Sequence, residues 1–228
     1  MIKSKYILAF LMLSQLTIAQ IHEIGVFAGG SNFIGDVGPT TYILPKQPAF
    51  GVLYKWNVNP RYSWRFSAMH SKIKARDAKS DINSRKQRNL NFQNSLTEFS
   101  AGMEFNWFEF NQHHFGFKST PYLYSGISYF ISDDLYLENA KKFVSTGTSG
   151  SIAIPIIAGY KMQVSDSFVI GLEAGARYTF SDDIDGSFPT DEKFRSQRFG
   201  NLNSKDWYVF SGLTITYTFG NKPCYCND

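Results

Sequence analysis

Residues 168–180 read FVIGLEAGARYTF, and they alternate in character at every step. One set is apolar or aromatic: Ile170, Leu172, Ala174, Ala176, Tyr178 and Phe180. The set between them is small or charged: Gly171, Glu173, Gly175 and Arg177. A period of two is typical of a β-strand whose two faces meet different surroundings. This segment is therefore predicted to be a strand with one apolar and one polar face.

The same alternation recurs along the chain. It predicts eight strands, at 22–30, 48–57, 61–74, 95–107, 117–131, 151–163, 168–180 and 207–219. Each is long enough to cross a hydrocarbon layer, for which a tilted strand needs roughly 9–11 residues. No run of about 18 apolar residues follows the N-terminal segment, which excludes a transmembrane helix. An even strand number is the rule for single-chain outer-membrane barrels.

The connections alternate in length. They are short after strands two, four and six, and long after strands one, three, five and seven, near 31–47, 75–91, 132–150 and 181–206. Outer-membrane barrels have short periplasmic turns and long outer loops. We therefore predict an all-β fold in residues 20–220, an eight-stranded antiparallel transmembrane β-barrel with a closed lumen.

A soluble barrel of the lipocalin kind also alternates, but with its apolar face inward. Two features favour the membrane barrel. Glycine and alanine on the polar face suit a crowded lumen, and aromatic residues cluster where strands would meet the bilayer surfaces. Those near the periplasmic ends are Trp56, Tyr62, Trp64, Trp107, Tyr160, Tyr217 and Phe219, and those near the outer ends are Phe50, Tyr129 and Tyr178.

With the polar face inward, charged residues of balanced sign would line the lumen. They are Glu23, Lys55, Arg65, Glu98, Glu104, Lys161, Glu173 and Arg177. The interior of an eight-stranded barrel is just wide enough for side chains to fill it. Charges there are tolerated only when they are paired and hydrogen-bonded. The predicted network is a structural plug and not a conduction path.

Residues 1–19 have the features of a secretory signal peptide. Lys3 and Lys5 precede an apolar run, and a small-residue segment ends at Ala19. The predicted location is the bacterial outer membrane, in contact with its lipid and with both termini in the periplasm. Cleavage would lower the formal charge from +4 by the two lysines to +2, which is too little to indicate a nucleic-acid partner.

Candidate chemistry is sparse. The histidines are His22, His70, His113 and His114, and none has the spacing of a catalytic triad or a metal site. His70 with Ser67 or Ser71 is the one nearby nucleophile pairing. We predict no catalytic residues, metal, cofactor or small-molecule substrate. The acidic stretch 182–186 favours a solvated loop over a weak Ca²⁺ site.

Residues 221–228 continue past the terminal aromatic Phe219 and are predicted to form a periplasmic tail. This tail contains the only two cysteines, Cys224 and Cys226. A disulfide between positions i and i+2 is strained, whereas the periplasm favours paired cysteines. Four alternatives stay open: a strained local disulfide, free thiols, an intermolecular disulfide to a partner protein, and a soft-metal clip. The intermolecular disulfide is the partner-binding hypothesis.

One part of the chain resembles a known family. The segment 22–38, HEIGVFAGGSNFIGDVG, is followed by Ala49-Phe50-Gly51 and by RYSWR at 61–65. Together they resemble the PorG family, the outer-membrane β-barrel components of the type IX secretion system of Bacteroidota. The resemblance covers the whole mature chain and is strongest in the N-terminal motif.

The resemblance implies a non-enzymatic scaffold in protein secretion and, in many of these bacteria, gliding motility. Members of the PorG family associate with a periplasmic ring built from the lipoprotein PorK and its partner PorN, and are thought to tie that ring to the outer membrane. On this hypothesis Cys224, Cys226 and the short inner turns contact the ring. Two alternatives remain: a small barrel for adhesion or membrane stability that works through its outer loops, and a lipid-modifying enzyme built around His70.

Overall fold

The chain folds into a closed antiparallel barrel of eight strands. The computed structural model describes residues 21–112, 116–138, 142–189, 191–201 and 204–220. Each strand pairs with its neighbours in sequence, and the first pairs with the last. The strands are β1 (Ile21–Ile34), β2 (Gln47–Asn57), β3 (Tyr62–Arg76), β4 (Asn91–Asn106), β5 (Lys118–Glu138), β6 (Lys142–Gln163), β7 (Phe168–Thr179) and β8 (Trp207–Phe219). The predicted fold class is confirmed.

The helical segments are short and lie in the long connections. The end of the barrel with the long connections is called the outer end below, and the opposite end the periplasmic end, after the predicted orientation. They are a 3-10 turn at Asp77–Lys79, helix α1 at Asn83–Arg88 and a second 3-10 turn at Glu192–Gln197. Within the described ranges, no helix is both long enough and apolar enough to cross a bilayer.

The strands extend further on the outer side than the sequence predicted. The predicted loop at 132–150 is wrong, because β5 and β6 continue to pair as far as Glu138 and Lys142, with a register shift between Asp134 and Leu135. This part of the hairpin is rich in Gly, Ser and Thr. A strand beyond the hydrocarbon layer needs no apolar face, so its sequence carries no alternation.

The two faces of the barrel wall differ as predicted. Ile24, Leu172 and Leu213 point outward and are about half exposed, while alternate residues such as Glu173 point inward and are buried. A soluble barrel has the opposite arrangement. The register also places the periplasmic aromatics at one level, since His22 lies opposite both Trp56 and Phe219.

Glycines on the lumen face allow the wall to bend tightly. Gly102 lies directly opposite Gly126, and Gly29 lies opposite Gly212. A Cβ on Gly102 would lie 2.3 Å from the carbonyl oxygen of Ser125. The strands therefore approach each other at these points more closely than any larger residue would permit.

Candidate functional site

The centre of the lumen is a charge network built around Glu104. This carboxylate accepts hydrogen bonds from Lys55 Nζ at 2.8 Å and Lys161 Nζ at 2.6 Å. Arg65 lies 3.6 Å from the same group and forms two parallel hydrogen bonds of 2.8 Å with Glu173. Strands β2, β3, β4, β6 and β7 contribute these side chains, so the network joins most of the barrel wall.

Aromatic side chains complete the central network. Tyr122 donates a 2.5 Å hydrogen bond to Glu173, and its ring lies beneath the ammonium groups of Lys55 and Lys161. The guanidinium of Arg65 stacks over Tyr124 at 5.1 Å. The sequence analysis did not single out these two tyrosines because it considered only charged residues. Their position in the alternation of β5 places them on the inward face, but it does not identify Glu173 and Arg65 as their partners.

A second ion pair lies nearer the outer end. Arg177 donates from Nε to Glu98 at 3.1 Å, and Tyr208 donates to the same carboxylate at 2.6 Å. The guanidinium of Arg177 also lies 4.6 Å above the ring of Phe210. All of these side chains are buried. This end of the lumen is therefore filled by a charge pair packed against aromatic rings.

Glu23 lies near the end of the barrel where β1 begins, and its hydrogen-bond partners are neutral side chains. It accepts hydrogen bonds from Asn57 at 2.9 Å, Gln112 at 2.9 Å and Thr216 at 2.7 Å. Gln112 belongs to the turn after β4, and Phe110 of the same turn lies beneath the ammonium group of Lys161 at 4.8 Å. The turn therefore folds back into the barrel and fills its periplasmic mouth. No pattern in the sequence predicted this.

The structure thus places all eight predicted lumen residues inside the barrel. The seven aromatics predicted to be periplasmic lie towards the end of the barrel where β1 begins and β8 ends, with Trp56 half-buried and the other six exposed on the outer wall. At the outer ends, Phe50 and Tyr129 are exposed and Tyr178 is half-buried. Residues 1–19, His113, His114, Cys224 and Cys226 lie outside the described residues.

The outer connections fold into a compact cap over the barrel. Buried Asp77 accepts hydrogen bonds from the backbone of Gly38 and Leu90 and from the guanidinium of Arg88. Asp185, also buried, accepts from the backbone N–H of Asp36 and of Val37. Beneath these polar contacts lies an apolar cluster that includes Val37, Ile73, Leu90, Phe92 and Ile184. Carboxylates therefore join three outer connections to one another.

The prediction of a solvated acidic loop at 182–186 is wrong. Ile184 and Asp185 are fully buried, and Asp182 is nearly so. Ile184 inserts into the apolar cluster of the cap, which carries its acidic neighbours inward with it. No group of three or more acidic, histidine or cysteine side chains in the described part of the chain is arranged to hold a metal ion.

Burial changes the acidity of these aspartates. Burial and the nearby carboxylates of Asp185 and Asp36 raise the pKa of Asp182 to about 7. Burial likewise raises the pKa of Asp206, which lies close to Asp185 and Asp182. The cationic Lys205 acts in the opposite direction on the pKa of Asp182. The cap therefore binds protons that the unfolded chain would release.

We expect the cap to be more stable at pH 5 than at pH 8. The pKa of Asp182 rises from 3.8 to about 7 on folding, so its contribution to stability is present at low pH and is lost as the pH rises through that range. Asp182→Asn should weaken this pH dependence. Hydrogen exchange of residues 182–187, corrected for the intrinsic rate, measures it. Asp166→Asn, in an exposed turn, is the control, and equal pH dependence in both variants would contradict the prediction.

His22 and His70, the two described histidines, contact hydroxyl groups of neighbouring strands and not the serines of the predicted pairing. His70 points outward and lies 2.9 Å from Thr97 Oγ1. Ser67 is hydrogen-bonded to Ser100, and Ser71 points inward to Ser31. Adjacent residues of a strand face opposite sides of the sheet, which separates His70 from Ser71. His22 forms a 2.7 Å contact with the hydroxyl of Tyr54.

A family model covers the whole of this barrel. The model described as "Domain of unknown function (DUF6089)" matches residues 3–228. The chain belongs to the DUF6089 family. That description assigns no activity to DUF6089 proteins. No curated protein matches this DUF6089 sequence significantly.

Solved structures similar to the DUF6089 barrel are other small barrels. Ail, the attachment invasion locus protein of Yersinia pestis, is 14% identical with a TM-score of 0.47, over 89% of this chain and 100% of that chain. The N-terminal β-barrel domain of Pseudomonas aeruginosa OprF is 12% identical with a TM-score of 0.45, over 88% and 98%. A major outer membrane protein of Thermus thermophilus is also 12% identical with a TM-score of 0.45, over 89% and 100%. At these values the likeness gives no information about function.

Proposed function

We propose that the protein is a non-enzymatic, non-conducting outer-membrane barrel that acts as a scaffold of the type IX secretion system. In this role it ties a periplasmic ring of PorK and PorN type to the membrane. The observation that carries the proposal is the combination of an apolar outer wall with a filled, charge-paired lumen. The first feature supports a membrane location, and the second argues against transport.

The outer wall supports the membrane location. Its exposed side chains form a continuous apolar surface that includes Ile24, Val52, Phe66, Ile127 and Leu213. Soluble monomers rarely expose an apolar patch larger than a few hundred Å². Such a wall is stable in contact with the hydrocarbon core of a bilayer. In an outer-membrane barrel the long loops lie outside the cell and the short turns lie in the periplasm.

The filled lumen argues that the protein works through its two ends. The central cations and carboxylates are paired with each other and packed against aromatic rings. Gln112 and Phe110 fill the periplasmic mouth, and the folded cap covers the outer one. A solute would have to break several buried ion pairs to pass.

The periplasmic end has a surface suited to a protein partner. Its turns carry exposed apolar side chains, with Phe117 76% exposed and Phe108 59% exposed. Val58 and Val164 of the other two turns are also exposed. The resemblance of residues 22–38 to the PorG family supports a secretion-system ring as that partner. The predicted tail with Cys224 and Cys226 would add a second contact.

Deleting residues 221–228 is expected to leave an inserted barrel and to abolish co-purification of the ring. The deletion removes only chain that follows β8, so the wall and lumen stay intact. Affinity purification from solubilised outer membranes, with mass spectrometry of the bound proteins, measures the result. A full-length Cys224→Ser/Cys226→Ser variant separates the two kinds of contact, because it removes a disulfide and keeps the rest of the tail.

Two outcomes would contradict the scaffold. In one, the ring never co-purifies with the full-length protein. In the other, the truncated barrel retains the ring in full, and only changes to the outer cap impair the cell. That second outcome would favour a role in adhesion or membrane stability, for which the ordered cap provides a surface.

A further inference from the structure

A group of cations lies on the outer rim of the barrel beside β2 and β3. Lys46, Lys74, Arg76 and Lys79 line one cleft of about 320 Å³, together with Gln47 and Ala75. Lys72 is the outward residue of β3 that precedes Lys74, and it is exposed. We call this set the basic cleft.

In the part of the chain that the structure describes, no carboxylate neutralises the basic cleft. Asp77 follows Arg76 in the chain, but it is fully buried and bound to Arg88 and to the backbone of Gly38 and Leu90. On β4 the neighbours of Lys74 and Arg76 are the neutral residues Gln93 and Asn91. The ion pairs among the described residues include none of the five cations, and Asp81 of the same loop joins none of them.

Crowding of like charges is evident in the acidity of Lys46. Burial and the neighbouring charge of Lys79 lower the pKa of the Lys46 ammonium group. An anion in the cleft would relieve this repulsion, since oppositely charged groups at short range favour each other's ionised form.

The basic cleft begins where the apolar wall ends. The outward residues of β3 run from Tyr62, Trp64, Phe66 and Ala68 through His70 to Lys72, Lys74 and Arg76. Successive outward residues are about 6.6 Å apart along a strand. The cations therefore begin directly beyond the apolar surface, on the side where the proposed membrane has its lipid headgroups.

An apolar segment is held beside the cleft. Tyr42 is 71% exposed, Ile43 59% and Leu44 45%. Asn32, itself only 1% exposed, fixes their backbone: its amide donates to the carbonyls of Thr41 and Tyr42 and accepts from the N–H of Leu44. Two residues later, Lys46 enters the basic cleft.

We propose that the basic cleft and the Tyr42–Leu44 segment bind one glycolipid of the outer leaflet, with its phosphate groups in the cleft and its acyl chains against the apolar segment and wall. Lys and Arg form charge-assisted hydrogen bonds with phosphate. A phosphorylated glycolipid of the lipid A type has both features that this surface could bind. Its phosphate groups would neutralise the cations of the basic cleft, and its acyl chains would cover the exposed apolar side chains beside it. The inference rests on the orientation proposed above, with the long loops outside.

Native mass spectrometry of the purified barrel in detergent tests the inference. Diphosphorylated lipid A is compared with its dephosphorylated form, which has the same acyl chains. The variant Lys46→Gln/Lys74→Gln/Arg76→Gln is expected to bind the phosphorylated lipid about a hundredfold more weakly, at about fivefold for each surface cation. The control Lys86→Gln/Lys193→Gln/Arg195→Gln removes the same charge elsewhere on the cap and should bind like the wild type.

Several results would overturn the inference. One is an equal loss of lipid A binding in the two triple variants, and another is equal binding of the phosphorylated and dephosphorylated lipids. A third is tight binding of inositol hexakisphosphate without binding of lipid A, which would indicate that the ligand is a soluble polyanion. Heat-modifiable migration in electrophoresis verifies that each variant is folded. Ring co-purification from membranes with the cleft variant should be unchanged, so failure of the lipid site and failure of the scaffold are separate outcomes.

Discussion

Replacing Glu104 by alanine is expected to destabilise the barrel by about 3–5 kcal/mol, the usual cost of breaking a buried ion pair by removing one partner. Glu104 is fully buried and lies 2.8 Å from Lys55 and 2.6 Å from Lys161. Both ammonium groups would then remain in the lumen without their nearest anion. Arg65 would be affected less, because Glu173 holds it with two further bonds. Urea unfolding of the barrel in detergent, followed by tryptophan fluorescence, measures the loss.

A matched control lies at the periplasmic rim. Glu109 pairs with Arg61 at 3.2 Å, but the Glu109 side chain is 67% exposed. Glu109→Ala should cost less than about 1 kcal/mol, because water replaces the lost partner. Adding Lys161→Met to Glu104→Ala should recover part of the stability by restoring the charge balance. Equal effects of Glu104→Ala and Glu109→Ala would show that the lumen is wetter than its geometry indicates.

Gly102→Val is expected to prevent most of the protein molecules from folding into a closed barrel. The Cβ would meet the carbonyl oxygen of Ser125 at 2.3 Å and the Cα of Gly126 at 2.8 Å. Both obstacles are backbone atoms of the paired strand, so no side-chain rotation relieves the clash. The expected cost is about 3 kcal/mol or more, at the upper end for overpacked sites. The fraction of heat-modifiable barrel after refolding in detergent measures it.

The neighbouring residue provides the control. Ala101 is on the same strand but belongs to the outward face of β4, which meets the apolar exterior. Ala101→Val adds two methyl groups to a Cβ that is already present, and Gly102→Val adds the same two methyl groups together with the Cβ. The Ala101→Val variant should refold like the wild type. Normal refolding of Gly102→Val would mean that the wall can widen locally, which would contradict the tight curvature assigned to the glycine pairs.

The wall and its lining were predictable because the bilayer imposes a strict rule on sequence. Lipid on one side and a packed lumen on the other require strict alternation, and this identified Glu104 and Arg177 as inward-facing. Above the membrane the rule lapses, so the outer part of the β5–β6 hairpin was mistaken for a loop. The burial of Asp185 could not be predicted for a different reason. Its partners are backbone N–H groups of a distant connection, and every residue except proline has such a group, so the sequence does not identify them.

Tyr122 and Gln112 show two further limits of the sequence. Tyr122 follows the alternation of β5, but a tyrosine on a membrane strand is equally typical of the lipid interface. Gln112 belongs to a turn, where no periodicity indicates which side chains fold back into the barrel. Their roles become evident only once the positions of Glu173 and Glu23 in space are known.

The lumen network has a consequence for how the protein is made. Its partners are far apart in the chain: 108 residues separate Arg65 from Glu173, and 193 separate Glu23 from Thr216. A lone hairpin entering the membrane would carry its charges into hydrocarbon with their partners still outside, at a cost of several kcal/mol for each ion. Strands therefore cannot enter one pair at a time. We therefore expect most of the strands to come together before the chain enters the bilayer, so that each buried charge meets its partner before it leaves water.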